Sequence, residues 1–173
     1  SYIEKTSYSG NLFEAIGNDG LEKVKRQDIL AAAYIILAQG TPFLNGGQEF
    51  LRTKQGNENS YNSSDEINQI DLEFKTRYSD IFNAYKGLLA FRRENSDSFG
   101  SKTDCSAQTI FPGFTKYTAG KFCIYFNATD SSARIDSAGF TNSIDVLSGK
   151  PEQKDFVPNT MEAKSFVILK KSS

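Results

Sequence analysis

Two different apolar periodicities divide this chain near Phe99, and they constrain its fold more than any other feature. Before that point apolar residues recur at helical spacing over two long stretches. After it they alternate in short runs separated by Gly, Ser, Asn and Asp. A pattern with helical period does not suit a strand, so the sequence predicts an α+β fold with helices first and strands after them. The division expected is residues 1–98 and residues 99–173.

The first helix is expected over Leu21 to Ala38. Ile29, Ala32, Ala33, Ile36 and Leu37 follow the spacing of a buried stripe, while Lys23, Lys25, Arg26 and Asp28 make the early half more polar. Gly40 and then Pro42 end it. The run from Ala31 to Leu37 is apolar nearly all round and needs contacts on more than one side. Pro42-Phe43-Leu44 then reads as a buried strand ending at Gly46-Gly47. From Arg52 to Asp71 follows a long polar connection. A second helix is expected over Ser79 to Glu94, with Ser79 as N-cap and Asp80 in the first turn. Ile81, Tyr85, Leu88 and Leu89 form its apolar face, Phe82 and Phe91 widen it, and Arg92 and Arg93 complement the last turn.

Beyond Phe99, Lys121 to Asn127 reads as a half-buried strand, because Phe122, Ile124 and Phe126 alternate with Cys123 and Tyr125. Ile110 to Tyr117, interrupted by Pro112-Gly113, is another. Arg134 to Asp136, Ser143 to Leu147 and Ser165 to Lys170 are further candidates. Turn signals fall at Ala119-Gly120, Asp130 to Ser132 and Ser148-Gly149. Short strands at this spacing suggest an antiparallel sandwich.

Composition narrows the chemistry. The 173 residues carry a formal net charge of −1 and contain no histidine, no tryptophan and two cysteines. Ser-His-Asp and Cys-His catalysis, imidazole metal sites and a Cys-only zinc site are excluded, and no metal or cofactor is expected. Near-neutral charge argues against nucleic acid as a partner, and the lack of a long apolar run argues against a membrane span. Ser1 to Asn18 is mostly polar, unlike a signal peptide, and a start at serine suits a processed chain or a portion of a longer one. Cys105, in an expected loop, and Cys123, in an expected strand, read either as two thiols or as a disulfide.

The remaining acids and bases are carboxylates, lysines and tyrosines. Paired carboxylates are the usual tools of glycoside hydrolysis, and the first half offers Glu4, Glu14, Asp19, Glu49, Glu58, Asp65, Glu66 and Asp71. Glu49 follows a short strand and a glycine pair, the edge position of an active-site residue in an α/β barrel. It also reads as a carboxylate that caps a turn or pairs with Arg52. Arg52 to Asn62 is dense in amide and hydroxyl groups that could hydrogen-bond sugar hydroxyls, with Tyr61 able to stack on a pyranose ring. The same residues also suit an ordinary loop built on Asx turns.

Ala32 to Gly40 is followed by Thr41-Pro42-Phe43-Leu44-Asn45-Gly46-Gly47-Gln48-Glu49-Phe50-Leu51-Arg52-Thr53-Lys54. After it come Gly56-Asn57-Glu58-Asn59-Ser60-Tyr61-Asn62 and Asp65-Glu66-Ile67-Asn68-Gln69-Ile70-Asp71. This order closely resembles the C-terminal part of type I pullulanases, debranching enzymes of the α-amylase superfamily. The resemblance is continuous from about Gln27 to Arg93 and looser beyond. It implies that residues 1–98 are the end of a (β/α)₈ barrel and residues 99–173 the β-sandwich that follows it. Tyr2 to Glu4 would be the remnant of strand seven, Leu21 to Ala38 helix seven, Thr41 to Leu44 strand eight, and Ser79 to Glu94 the last helix.

The family's nucleophilic aspartate and acid/base glutamate belong to the fourth and fifth strands, so the resemblance assigns no catalytic residue to this chain. The family motif Tyr-Val-Glu-Ser-His-Asp-Asn aligns without gaps on Tyr2-Ile3-Glu4-Lys5-Thr6-Ser7-Tyr8, which puts Thr6 at the histidine and Ser7 at the aspartate. Neither replacement supplies an anionic group beside an oxocarbenium-like transition state. By matching position, Arg52, Asn57, Asn59, Tyr61, Asp65 and Asn68 are the expected sugar contacts, with some of them expected to brace the loop by mutual hydrogen bonds instead. The implied function is that of a fragment of an α-1,6 debranching hydrolase, inactive alone. The alternative is a non-catalytic α-glucan-binding or structural support module. The implied partners are α-glucan through the parent barrel, and either the missing barrel portion or a second copy over the exposed helices.

Overall fold

The structure, a computed structural model, describes residues 12–57 and 59–171. The expectations placed on Tyr2 to Tyr8, on Glu58, and on the side chains of Glu14 and Asp19 lie outside them. The helical region comprises α1 (Leu12–Leu37), a 3₁₀ turn (Gln48–Phe50), α2 (Asp65–Asn68), α3 (Glu73–Arg77), α4 (Ser79–Glu94) and α5 (Ser96–Phe99). Eight strands follow: β1 (Cys105–Phe111), β2 (Phe114–Ala119), β3 (Phe122–Asn127), β4 (Ala133–Arg134), β5 (Phe140–Asp145), β6 (Glu152–Lys154), β7 (Thr160–Met161) and β8 (Ser165–Lys171). This is the expected α+β arrangement.

Helix α1 begins earlier than the apolar pattern suggests. Gly17, Asn18 and Gly20 are weak helix formers, and they mask its first turns in the sequence. Its apolar run is covered on two sides, by Ile81, Tyr85 and Leu88 of α4 and by Ile124, Phe126 and Ile168 of the sheet, all in one cluster. Asp28 is not part of a polar half. It is 4% exposed and continues the stripe Val24, Asp28, Ala32 at four-residue steps.

Helix α4 has its expected bounds, with two differences. Tyr78 occupies the N-cap without a side-chain cap, and Ser79 is the first helical residue. Asp80 lies in the first turn as expected and pairs there with Lys25 Nζ of α1 at 2.9 Å. The buried face is Ile81, Ala84, Tyr85, Gly87, Leu88 and Phe91, whereas Leu89 is 40% exposed. The face turns this way because the backbone after β5 descends onto Gly87. A Cβ there would overlap the Val146 carbonyl oxygen. Arg92 closes the other end. Its Nη1 donates to the Ile36 and Ala38 carbonyls, both at 2.6 Å, and its Nη2 to that of Gly40. The Ile36 and Ala38 carbonyls lie at the C-terminus of α1, where a cation is favoured, and Gly40 lies just beyond it.

The main sheet is antiparallel in the order β1-β2-β3-β8-β5-β6. Strand β3 was expected to be half-buried and is buried along its whole length. The reason is that both faces of the sheet are covered. Phe122, Ile124 and Phe126 point to the helices, while Cys123 and Tyr125 pack with Ala133, Ile135, Met161 and Leu169 around the two-stranded ribbon β4–β7. The layer opposing the sheet on that side is therefore this ribbon.

Ile110 to Tyr117 is two strands rather than one, because Pro112-Gly113, with Gly113 at φ +82°, forms the turn of a hairpin. Cys105, expected in a loop, opens β1. Both cysteines are free thiols. Cys105 registers with Ala119, Cys123 with Thr118, and they belong to clusters on opposite faces of the sheet. Thr41 to Leu44 forms no strand, and Phe43 is 84% exposed. A buried parallel strand needs neighbours on both edges, and the described residues supply none beside this segment.

Candidate functional site

The candidate site is the connection from Thr41 to Asp71, which leaves α1 and returns to α4. It opens with a turn in which Gln48 N–H donates to the Asn45 carbonyl at 3.1 Å. Gly47 takes φ +91°, and a Cβ there would lie 2.7 Å from Arg52 Cβ, so both conformation and space demand glycine. Glu49 Oε2 accepts the Gly47 N–H at 3.0 Å. Of the two structural readings of Glu49, capping is the one realised, and the Arg52 guanidinium turns elsewhere.

Arg52 bridges the two ends of the loop. Its Nε donates to the Gln69 carbonyl at 3.2 Å, Nη1 to that of Gly46 at 3.2 Å, and Nη2 to that of Asn68. Asn68 is the second brace. Its amide donates to the Ser60 and Ser63 carbonyls at 2.8 and 2.9 Å, and its Oδ1 accepts Lys54 Nζ at 2.6 Å. Asn57 is the third, donating to Ser63 Oγ at 2.9 Å and accepting the Asn59 N–H at 3.0 Å in an Asx turn. These three residues direct their polar groups into the loop. The side chains of Asn59, Tyr61 and Asp65 are exposed, Tyr61 by 84%. The six residues thus share one loop but divide into braces and outward-facing groups.

Sequence reasoning missed the anchor beneath the loop. Gln48 Nε2 donates to Tyr85 Oη at 3.0 Å, and Tyr85 Oη donates to Asp28 Oδ2 at 3.0 Å. This chain of hydrogen bonds ties the opening turn to α4 and α1. Burial raises the Asp28 carboxyl to about 7, against the lowering effect of the Tyr85 hydroxyl. Burial and the neighbouring Asp28 push the Tyr85 phenol up. The signal for Asp28 was its place on the Val24–Ala32 stripe. Among the described residues no group of three or more acidic, cysteine or histidine side chains is placed to hold a metal ion. No helix among them is long and apolar enough to cross a membrane.

No family model matches the chain. Similarity to individual proteins is nevertheless clear. A pullulanase of Bacillus subtilis is 46% identical over 76 residues, 44% of this chain and 10% of its own. An isoamylase of Pseudomonas amyloderamosa is 32% identical over 88 residues, 51% of this chain and 11% of its own. The fold agrees with them. The structure of type I pullulanase from Bacillus subtilis complexed with maltose superposes on 91% of this chain and 24% of that one, with a TM-score of 0.73 and 25% identity. Pullulanase from Anoxybacillus complexed with maltotriose superposes on 87% of this chain and 23% of that one, at 0.69 and 26%.

The chain is a homologue of part of the pullulanases and isoamylases. It corresponds to a C-terminal-like fragment of these long proteins and spans only 10% and 11% of the two curated relatives named above. The α+β fold over most of this chain is therefore pullulanase-like.

Proposed function

We propose that this chain is part of an α-glucan debranching hydrolase acting on α-1,6 branch linkages. Residues 1–98 close its catalytic barrel and residues 99–173 form the sandwich behind it. The observation that carries this reading is the pairing of 46% identity to a pullulanase with a pullulanase fold over 91% of the chain. The solved relatives complexed with maltose and maltotriose support α-linked glucose as the ligand class. In this reading the Tyr61 ring stacks on a pyranose, and Asn59 and Asp65 hydrogen-bond its hydroxyls. Arg52, Asn57 and Asn68 hold the loop in shape. Exposed Phe43, Ile70 and Leu72 flank the same loop and form the surface that the remaining barrel covers.

In this reading the nucleophile and the general acid belong to barrel strands four and five, to which no part of this chain corresponds, so the chain hydrolyses nothing by itself. Reducing-sugar release from pullulan is expected to stay at background, and turnover that survives repurification overturns the reading. A titration with maltotriose followed by NMR is expected to shift the amides of residues 59, 61 and 65, and Tyr61→Ala to abolish those shifts. The inward bonding of Arg52 and Asn68 favours a second reading, in which the loop only supports the barrel. That reading predicts no shift at any of the three.

A further inference from the structure

We infer that Asn45 is a site of spontaneous covalent modification, at which the loop converts its own asparagine to aspartate and isoaspartate. Asn45-Gly46 is the one Asn-Gly step in the sequence. Both residues are exposed. Glycine after asparagine removes the side chain that would otherwise hinder attack by the following nitrogen, and it leaves the backbone free to reach the attacking geometry.

Three further observations separate Asn45 from seven other asparagines of the described residues. First, among the described residues none hydrogen-bonds the Asn45 side-chain amide or the Gly46 N–H. Asn57, Asn68, Asn95, Asn127 and Asn142 instead have their amides held by named acceptors. Second, Asn59 and Asn62 are exposed in the same loop, but each precedes a serine. Third, Asn127 is 0% exposed within the sheet.

The step balances with water alone. The Gly46 nitrogen, losing its proton to solvent base, attacks Asn45 Cγ. A Cγ–N bond forms, the Cγ–Nδ2 bond breaks, and ammonia leaves a five-membered succinimide. Water then opens either carbonyl. One product carries a normal aspartate at position 45. In the other the main chain runs through the former side chain and is one methylene longer.

The position gives the change its effect. The Asn45 carbonyl accepts Gln48 N–H, the Gly46 carbonyl accepts Arg52 Nη1, and the Gln48 side chain holds Tyr85. A longer main chain between residues 45 and 46 displaces the first two of these contacts at once. A new carboxylate also appears at the mouth of the loop. The modification therefore ages the loop that braces the candidate glucan face. This inference rests on the loop's chemistry and stands whether or not the loop binds sugar.

The test is incubation of the folded full chain at mildly alkaline pH. The peptide of residues 27–52, released by cleavage after Arg26 and Arg52, is followed by mass spectrometry. Isoaspartate is labelled with an isoaspartyl methyltransferase. Conversion at Asn45 is expected to outpace that at Asn59 and Asn62 severalfold, to accelerate with pH, and to fall severalfold in Gly46→Ala. The isoaspartyl label should be lost in Asn45→Gln. Conversion at Asn45 no faster than at Asn62 overturns the inference. So does a rate unchanged by Gly46→Ala, with circular dichroism confirming that the variant is folded.

Discussion

Asp28 shows how one residue sets the pH response of the fold. Its carboxyl is buried, has a single hydroxyl donor and titrates near 7, well above the carboxylate range it occupies in an unfolded chain. The folded state therefore holds this proton more tightly than the unfolded state. The contribution of Asp28 to stability is fully present in acid, is lost as pH rises through about 4 to about 7, and levels off above that. Asp28→Asn keeps the contact to Tyr85 without the charge. It is expected to raise stability at about pH 8 by an order of 2–4 kcal/mol and to flatten the decline, read from urea midpoints across that range.

Gly87 makes a second argument at this scale. Alanine is the better helix former by about 1 kcal/mol. Here the methyl group would meet the Val146 carbonyl, so Gly87→Ala is expected to destabilise, by about 2 kcal/mol or more in thermal melts.

Among the elements, legibility followed burial. Helix α4 was readable at both ends because its apolar stripe, acidic first turn and basic last turn agree. Within it, Arg92 could be read only as a dipole partner. Its bonds to the Ile36, Ala38 and Gly40 carbonyls depend on how α1 and α4 pack together, which local sequence does not show. Arg92→Met keeps the stem and removes these bonds. It is expected to cost about 2–3 kcal/mol, with amide exchange fastest in the last turn of α1.

The start of α1 was hidden by its glycines, and the strand expected at Thr41 to Leu44 is absent because pairing is a property of neighbours. The loop was legible as polar and sugar-like. Its division into braces and outward groups was not, because the hydrogen bonds of Arg52 and Asn68 reach residues well separated in sequence.

At the scale of the molecule, the change of texture at Phe99 does not divide the interior. Phe91 of α4 lies edge-on to Phe122 of β3 at 4.9 Å, and Phe99 lies edge-on to Phe91 and stacked on Phe122. The main cluster runs from Leu30 to Ile168 without a break at the boundary. Helices and sheet are expected to unfold in one transition, with near-UV and far-UV circular dichroism coinciding. Phe91→Ala is expected to lower that single transition by about 3–5 kcal/mol rather than split it.

The position of β8 has a consequence for synthesis. It lies between β3 and β5, so residues 140–154 have no sheet to join until residues 165–171 are made. Translation runs in one direction, and the hairpins β1–β2–β3 leave the ribosome with the inner edge of β3 open. Of these eight strands, the one translated last is the one that closes the gap. A pause before residue 165 leaves a nascent chain whose most apolar strand awaits its pairing partner.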